Sequence, residues 1–180
     1  MDYQHIIDKY YPEGTRLRDI YMHHCQSVAG LASEIAEKKN LDIDPSEIEA
    51  AAMLHDIGIF LTDAPSIECR GTQPYILHGI LGAKLLRTEG VSETIARVAE
   101  CHTGAGISRE EIINRNLPLP LDGDYMPSSG LERLICYADK FYSKSGSMER
   151  KPLDKVIRSM EKISPATLSR FMKLHKEFGI

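Results

Sequence analysis

Residues 51–60 read AAMLHDIGIF, with a histidine and an aspartate side by side inside an apolar run. A carboxylate in such a run costs several kcal/mol unless it is paired or binds a metal. Other costly groups repeat the pattern. His24 falls on a stripe with Val28, Leu31 and Ile35, at helical spacings, whereas its neighbour His23 aligns with Ser27, Gly30 and Glu34. His24 is therefore expected to point inward and His23 outward. His102 shares a face with Ile95, Val98 and Ala99; Asp139 sits four residues after Ile135; His78 begins a segment on the side of Leu81 and Leu85. A lone histidine on an apolar face is usually a hydrogen-bonded core residue, but six such groups, two of them aspartates, need a common partner. Imidazole with carboxylate suits a divalent ion, and the set His24, His55, Asp56, His78, His102 and Asp139 is the candidate ligand set. Iron, manganese, zinc, magnesium or nickel would fit, as one ion or two. His55 and Asp56 diverge by about 100° around a helix and can reach one ion beside it, and the second oxygen of Asp56 could bridge to another.

The elements that must position these groups are helical nearly throughout. Helices are expected at 2–10, 18–39, 45–57, 76–89, 92–102, 130–144, 152–162 and 165–178, with a single capped turn from Ser108 to Glu111. Asp44, Pro45 and Glu47 make a capping-box-like start, Gly58 a helix stop, and Ser92 and Ser164 caps. Strand signals are nearly absent. The expectation is an all-α single domain over 1–180, a helical bundle in which loops 61–76 and 104–128 frame a metal site. The amphipathic pieces at 152–178 should pack on the bundle or on a second subunit, so a homodimer is an expected partner.

A chain of 180 residues suits one domain. The net charge of −4 argues against stable nucleic-acid binding, which normally shows a basic excess, yet leaves room for a small anionic substrate whose charge a metal meets locally. No apolar run approaches the roughly 20 residues that span a bilayer, so no membrane partner is expected. The opening MDYQHIIDKYYPEG is unlike a secretory signal, and Cys25, Cys69, Cys101 and Cys136 form no C-x-x-C pair. Reduced core thiols and a cytoplasmic location are expected.

The ordered set His24, His55–Asp56, Asp139 resembles the HD superfamily of metal-dependent phosphohydrolases, and LHDIG at 54–58 matches its HDIG variant. The resemblance covers about residues 20–144. LHGILGA (77–83), ECHTGAG (100–106) and ERLICYADKF (132–141) look like the small subgroup with two additional histidines, similar to the branch that splits diadenosine tetraphosphate symmetrically. The chain lacks the glutamate–aspartate pair of the stringent-response HD enzymes and the GYP triplet of the cyclic-dinucleotide subgroup. The resemblance implies one metal held by His24, His55, Asp56 and Asp139, and a second held by His78 and His102 with Asp56 bridging. In a mononuclear site, His78 and His102 would instead contact substrate phosphate. Asp56, His78 and His102 would be the catalytic residues of a hydrolase that uses a metal-activated water on a phosphorylated, nucleotide-like substrate. Arg70, Lys140, Lys144 and Thr103 are the candidate substrate-binding residues, each with a plainer reading as surface charge or helix end. Two further readings share the same ligands: a diiron HD-type oxygenase, and a non-catalytic metal-bound sensor.

Overall fold

The computed structural model describes residues 2–180. Among these residues nine helices run in the order α1 (Gln4–Tyr10), α2 (Arg16–Lys39), α3 (Pro45–Leu54), α4 (His78–Thr88), α5 (Glu93–Cys101), α6 (Arg109–Asn114), α7 (Gly130–Asp139), α8 (Leu153–Ile163) and α9 (Pro165–Phe178). The fold is all-α. Among the described residues the one sheet is a two-stranded antiparallel ribbon, β1 (Asp63–Ala64) with β2 (Cys69–Arg70), within the loop between α3 and α4.

Helices α2, α3, α5 and α7 pack on one another as the centre. α4 lies along α5, while α9 covers α7 and carries α8 on its outer side. The C-terminal helices belong to this chain's own core, because Phe171 and Phe178 are fully buried among its side chains. Phe171 stacks on Tyr137 of α7 at a centroid distance of 5.7 Å. All four cysteines are buried free thiols, as the sequence led one to expect.

Local chemistry sets the helix ends. Thr15 caps α2 by accepting from the Arg18 N–H, and Asn40, in the left-handed region at φ 50°, ends it. Asp44 caps α3 ahead of Pro45, and Ser164 caps α9. Ser108 and Glu111 form a full capping box, and the helix behind them, α6, is longer than the single turn expected. A second capping box, Ser129 with Glu132, starts α7. Ser92 stands at the N-cap position of α5, but its side chain makes no cap hydrogen bond.

Two helices stop earlier than their apolar patterns suggest. α3 ends at Leu54 rather than Ile57, and the chain tightens there through the bonds Ile57 N–H to Leu54 O and Ile59 N–H to Asp56 O. Gly58 is not the left-handed stop expected of it, since its φ is −87°. It is small because α4 presses on it: a Cβ there would stand 2.3 Å from the His78 carbonyl oxygen and 2.4 Å from the Gly82 nitrogen. α7 ends at Asp139 instead of continuing to 144. A helix running on would carry residue 144 about 140° around the axis from Asp139. By leaving the helix, the chain folds Lys144 back toward Asp56, the carboxylate near Asp139 (below).

Candidate metal centre

The turn that carries His55 and Asp56 is held from behind by two buried tyrosines. Tyr11 and Tyr21 stack with centroids 4.1 Å apart. The Tyr11 hydroxyl donates to the Ile57 carbonyl at 3.0 Å, and the Tyr21 hydroxyl to the Met53 carbonyl at 2.5 Å. The backbone on both sides of the pair is thereby fixed, and the two side chains project into the space between α2, α5 and α7.

There the expected six residues meet, in two groups that share one carboxylate. Ligand-capable atoms of His24, His55, Asp56 and Asp139 lie within 4.8 Å of one another, as do those of Asp56, His78 and His102. Asp56 Oδ2 is 3.1 Å from the Nε2 of both His24 and His55. Its Oδ1 is 3.4 Å from His102 Nε2 and 3.5 Å from His78 Nε2. Asp139 Oδ1 is 3.0 Å from His24 Nε2. His23 is exposed on the other side of α2, as its spacing requires.

The hydrogen bonds behind the rings decide what faces inward. The Nδ1 atoms of His55, His78 and His102 lie 2.6, 2.7 and 2.8 Å from the carbonyl oxygens of Ala52, Tyr75 and Ala99. A carbonyl only accepts, so each Nδ1 carries a proton and donates, and wherever the ring is neutral its Nε2 presents a lone pair to the centre. The Nε2 atoms of His78 and His102 are 3.0 Å apart, and those of His24 and His55 3.3 Å. Neutral lone pairs at that separation repel unless a proton or cation lies between them. Both oxygens of Asp56 are fully buried and make no aligned hydrogen bond. Apart from the Lys144 ammonium (below), this carboxylate faces only imidazole nitrogens, a donor set that fits a divalent ion.

The electrostatics separate the two histidine groups. Burial pulls the His55 imidazole toward its neutral form, but Asp56 and Asp139 outweigh it and hold the pKa well above the usual range. Burial and the neighbouring His102 push His78 down to about 3, which keeps it a neutral ligand at physiological pH. Burial opposes ionisation of Asp56 and Asp139, yet the neighbouring lysines and histidines keep both carboxyls well below the ordinary range.

Two of the four candidate substrate residues are drawn to these carboxylates. Lys140 donates to Asp139 Oδ2 at 2.6 Å and to the His102 carbonyl at 2.8 Å, so it braces Asp139. Lys144 Nζ stands 2.5 Å from Asp56 Oδ2. The other two lie elsewhere. Arg70 projects from β2 with a side chain 73% exposed, its nearest partner Glu68. Thr103, half-buried, follows His102 and approaches Gly79 of α4.

A cavity of about 390 Å³ opens onto Asp139. Loop 61–76 supplies one wall through Ile67 and Tyr75. The opposite wall comes from 142–145, Lys151 and Met160, not from loop 104–128. That second loop instead closes a small apolar cluster of its own, in which Leu119, Tyr125, Ile107 and Ile112 pack with Leu77. Lys151 and Tyr75 are among the pocket residues the sequence reading did not name, although Tyr75 lies in the loop 61–76 expected to frame the site. Neither belongs to an apolar stripe or a motif, and no local pattern announces them.

An all-helical bundle whose centre holds two buried clusters of histidine and aspartate, joined by one aspartate, defines a metal-site protein of the HD type. The HD domain family model matches residues 21–143, and the chain belongs to this family. It is 32% identical over 176 residues to a tRNA (cytidine(56)-2'-O)-methyltransferase of Thermoplasma volcanium, covering 97% of this chain and 46% of that protein. It is 34% identical over 142 residues to an uncharacterized protein of Methanocaldococcus jannaschii, covering 77% of this chain and 74% of that protein. A protein of the same methyltransferase name in Picrophilus torridus is 32% identical over 162 residues, 89% of this chain and 42% of its own length. The chain thus spans under half the length of the two named relatives. No solved structure matches it.

Proposed function

We propose that the chain is a metal-dependent hydrolase of phosphate esters or anhydrides on a small, nucleotide-like substrate. The observation that carries this reading is Asp56, whose two buried oxygens each face a separate group of imidazole Nε2 atoms. Such a donor set suits two ions, with His24, His55, Asp56 and Asp139 as one ligand group and Asp56, His78 and His102 as the other. Bound there, divalent ions would supply Lewis acidity, making water a nucleophile near neutral pH and offsetting phosphoryl charge.

The chain's own part is to preorganise. Its backbone carbonyls take the Nδ1 protons of three imidazoles, and burial keeps His78 neutral, so that no proton competes at its Nε2. Lys140 holds Asp139 in one orientation through two bonds. Tyr75, which lines the cavity, stacks on His78 with centroids 4.6 Å apart and covers one face of that ring. Arg70 and Thr103 lie outside the pocket lining and are assigned no part. The methyl transfer for which the two archaeal relatives are named is not assigned to this chain. It matches under half of each, and the matched part carries a buried histidine–aspartate site, whose chemistry is that of a metal.

The test is elemental analysis of the purified protein, followed by phosphate release from a panel of nucleotides and dinucleotides with manganese or iron supplied. One or two ions per chain and metal-dependent release are expected. Metal-loaded protein that turns over nothing in the panel would overturn the hydrolase, and dioxygen consumption by an iron-loaded form would replace it with the oxygenase.

A further inference from the structure

The cavity beside Asp139 carries three lysines, and they differ in what they do. Lys140 is buried and committed to Asp139 and the His102 carbonyl. Lys144 sits on Asp56 Oδ2, the oxygen that also faces His24 and His55. Lys151, at the start of the segment leading into α8, is half-buried in the same cavity, and among the described residues its ammonium makes no ion pair and no hydrogen bond. A half-buried cation without a counter-ion is costly, and it becomes favourable only when an anion enters.

Metal binding changes the account for Lys144. An ion coordinated by Asp56 takes the negative charge that now faces the ammonium, and the two cations repel. Lys144 lines the cavity, so its side chain can turn from Asp56 into the same space as Lys151. The metal-loaded pocket then holds two free ammonium groups next to the metal ligands. Ile67, Met160 and Tyr142 provide an apolar surface beyond them.

We propose that Lys151 and the released Lys144 form a second anion site, which binds a phosphoryl group adjacent to the one at the metal centre. On the hydrolase reading, on which this rests, the preferred substrate carries two linked phosphates rather than one. The chemistry is that of a diphosphate: one phosphoryl group takes the ions, and the next takes two charge-assisted hydrogen bonds from lysine. At about 390 Å³ the cavity also has space for an organic body against its apolar wall.

The test uses full-length, manganese-loaded protein in excess free manganese, titrated calorimetrically with methylenediphosphonate and with methylphosphonate, neither of which can be hydrolysed at the bridge. The wild type should bind the diphosphonate at least tenfold more tightly than the monophosphonate. Lys151→Met should lose about tenfold for the diphosphonate and little for the monophosphonate, and Lys151→Arg should recover most of the loss. Equal weakening of both ligands, or of neither, would overturn the site. Lys144→Met has an independent readout in metal affinity. Removing an ammonium that opposes the ion at Asp56 should tighten manganese binding, and unchanged or weaker binding would refute the displacement. A protein that shows the Lys151-dependent preference but hydrolyses no phosphate keeps this site and loses the hydrolase reading. A hydrolase whose Lys151→Met variant keeps the full wild-type preference keeps its activity and loses the site.

Discussion

Glu111 offers a measurement in which charge alone can be isolated. Its carboxylate accepts from Arg170 at 2.6 Å, the Ser108 N–H at 2.9 Å, and the hydroxyls of Ser164 and Thr167 at 3.0 Å each. Arg170 in turn donates to the carbonyls of Ala105 and Gly106, each at 3.0 Å, in the loop that follows His102. The cluster thus ties α6 and α9 to the backbone that follows His102, a candidate ligand. Burial acts to raise the Glu111 pKa, but Arg170 and the donors around it hold the carboxyl at about 2 in place of its ordinary 4.5. At 1.36 kcal/mol per pH unit that difference is worth about 3 kcal/mol near neutrality, or ~2 after allowing for solvent at its rim. A depressed acid stabilises fully above its unfolded pKa and loses that contribution as pH falls toward the folded value. Glu111→Gln keeps the shape and removes the titration. Urea unfolding of the metal-free proteins should therefore give a stability difference of about 2–3 kcal/mol at about pH 7, shrinking by about 1.4 kcal/mol at about pH 3.5. A difference that stays the same at both pH values would mean that Glu111 acts through packing and neutral hydrogen bonds, and would refute the electrostatic account.

Two more predictions concern the centre and the turn that bears it. His55→Ala should abolish metal retention at the first ligand group, whereas His23→Ala, one residue from a ligand but exposed, should leave metal content unchanged by elemental analysis. Gly58→Ala should cost roughly 3 kcal/mol or more, read as a large drop in thermal midpoint, because the added methyl would meet the backbone of α4 at 2.3 Å from the His78 oxygen. Backbone atoms cannot step aside as a side chain end can, so the same variant should also displace His78 and weaken metal binding.

Much of the site is legible before any coordinates, because polar groups on apolar helical stripes have few physical explanations. His24 against Val28 and Leu31, and His102 against Ile95 and Val98, declare their inward direction through spacing alone, and His23 its outward one. Element ends are less legible. The apolar run through Ile57 looks like continuing helix, but α3 stops at Leu54 because α4 comes close enough to demand glycine at 58 and a tight turn before it. The helical pattern through 144 likewise gives way at Asp139, where Lys140 pairs with Asp139 itself and Lys144 with Asp56 of another segment.

Sequence alone determined the helical class and the six inward-facing candidate ligands, and set His23 apart as outward, since each follows from periodicity and the cost of burying charge. Only the tertiary structure decided which atoms meet: that Asp56 serves both histidine groups, that carbonyls three residues back fix the ring tautomers, and that Lys140 and Lys144 turn inward while Arg70 faces solvent. It also decided that the pocket wall comes from Lys151 and its neighbours rather than from the loop after His102. Spacing along one helix sets the direction of a side chain, but a distance between segments far apart in the chain depends on how every intervening element packs.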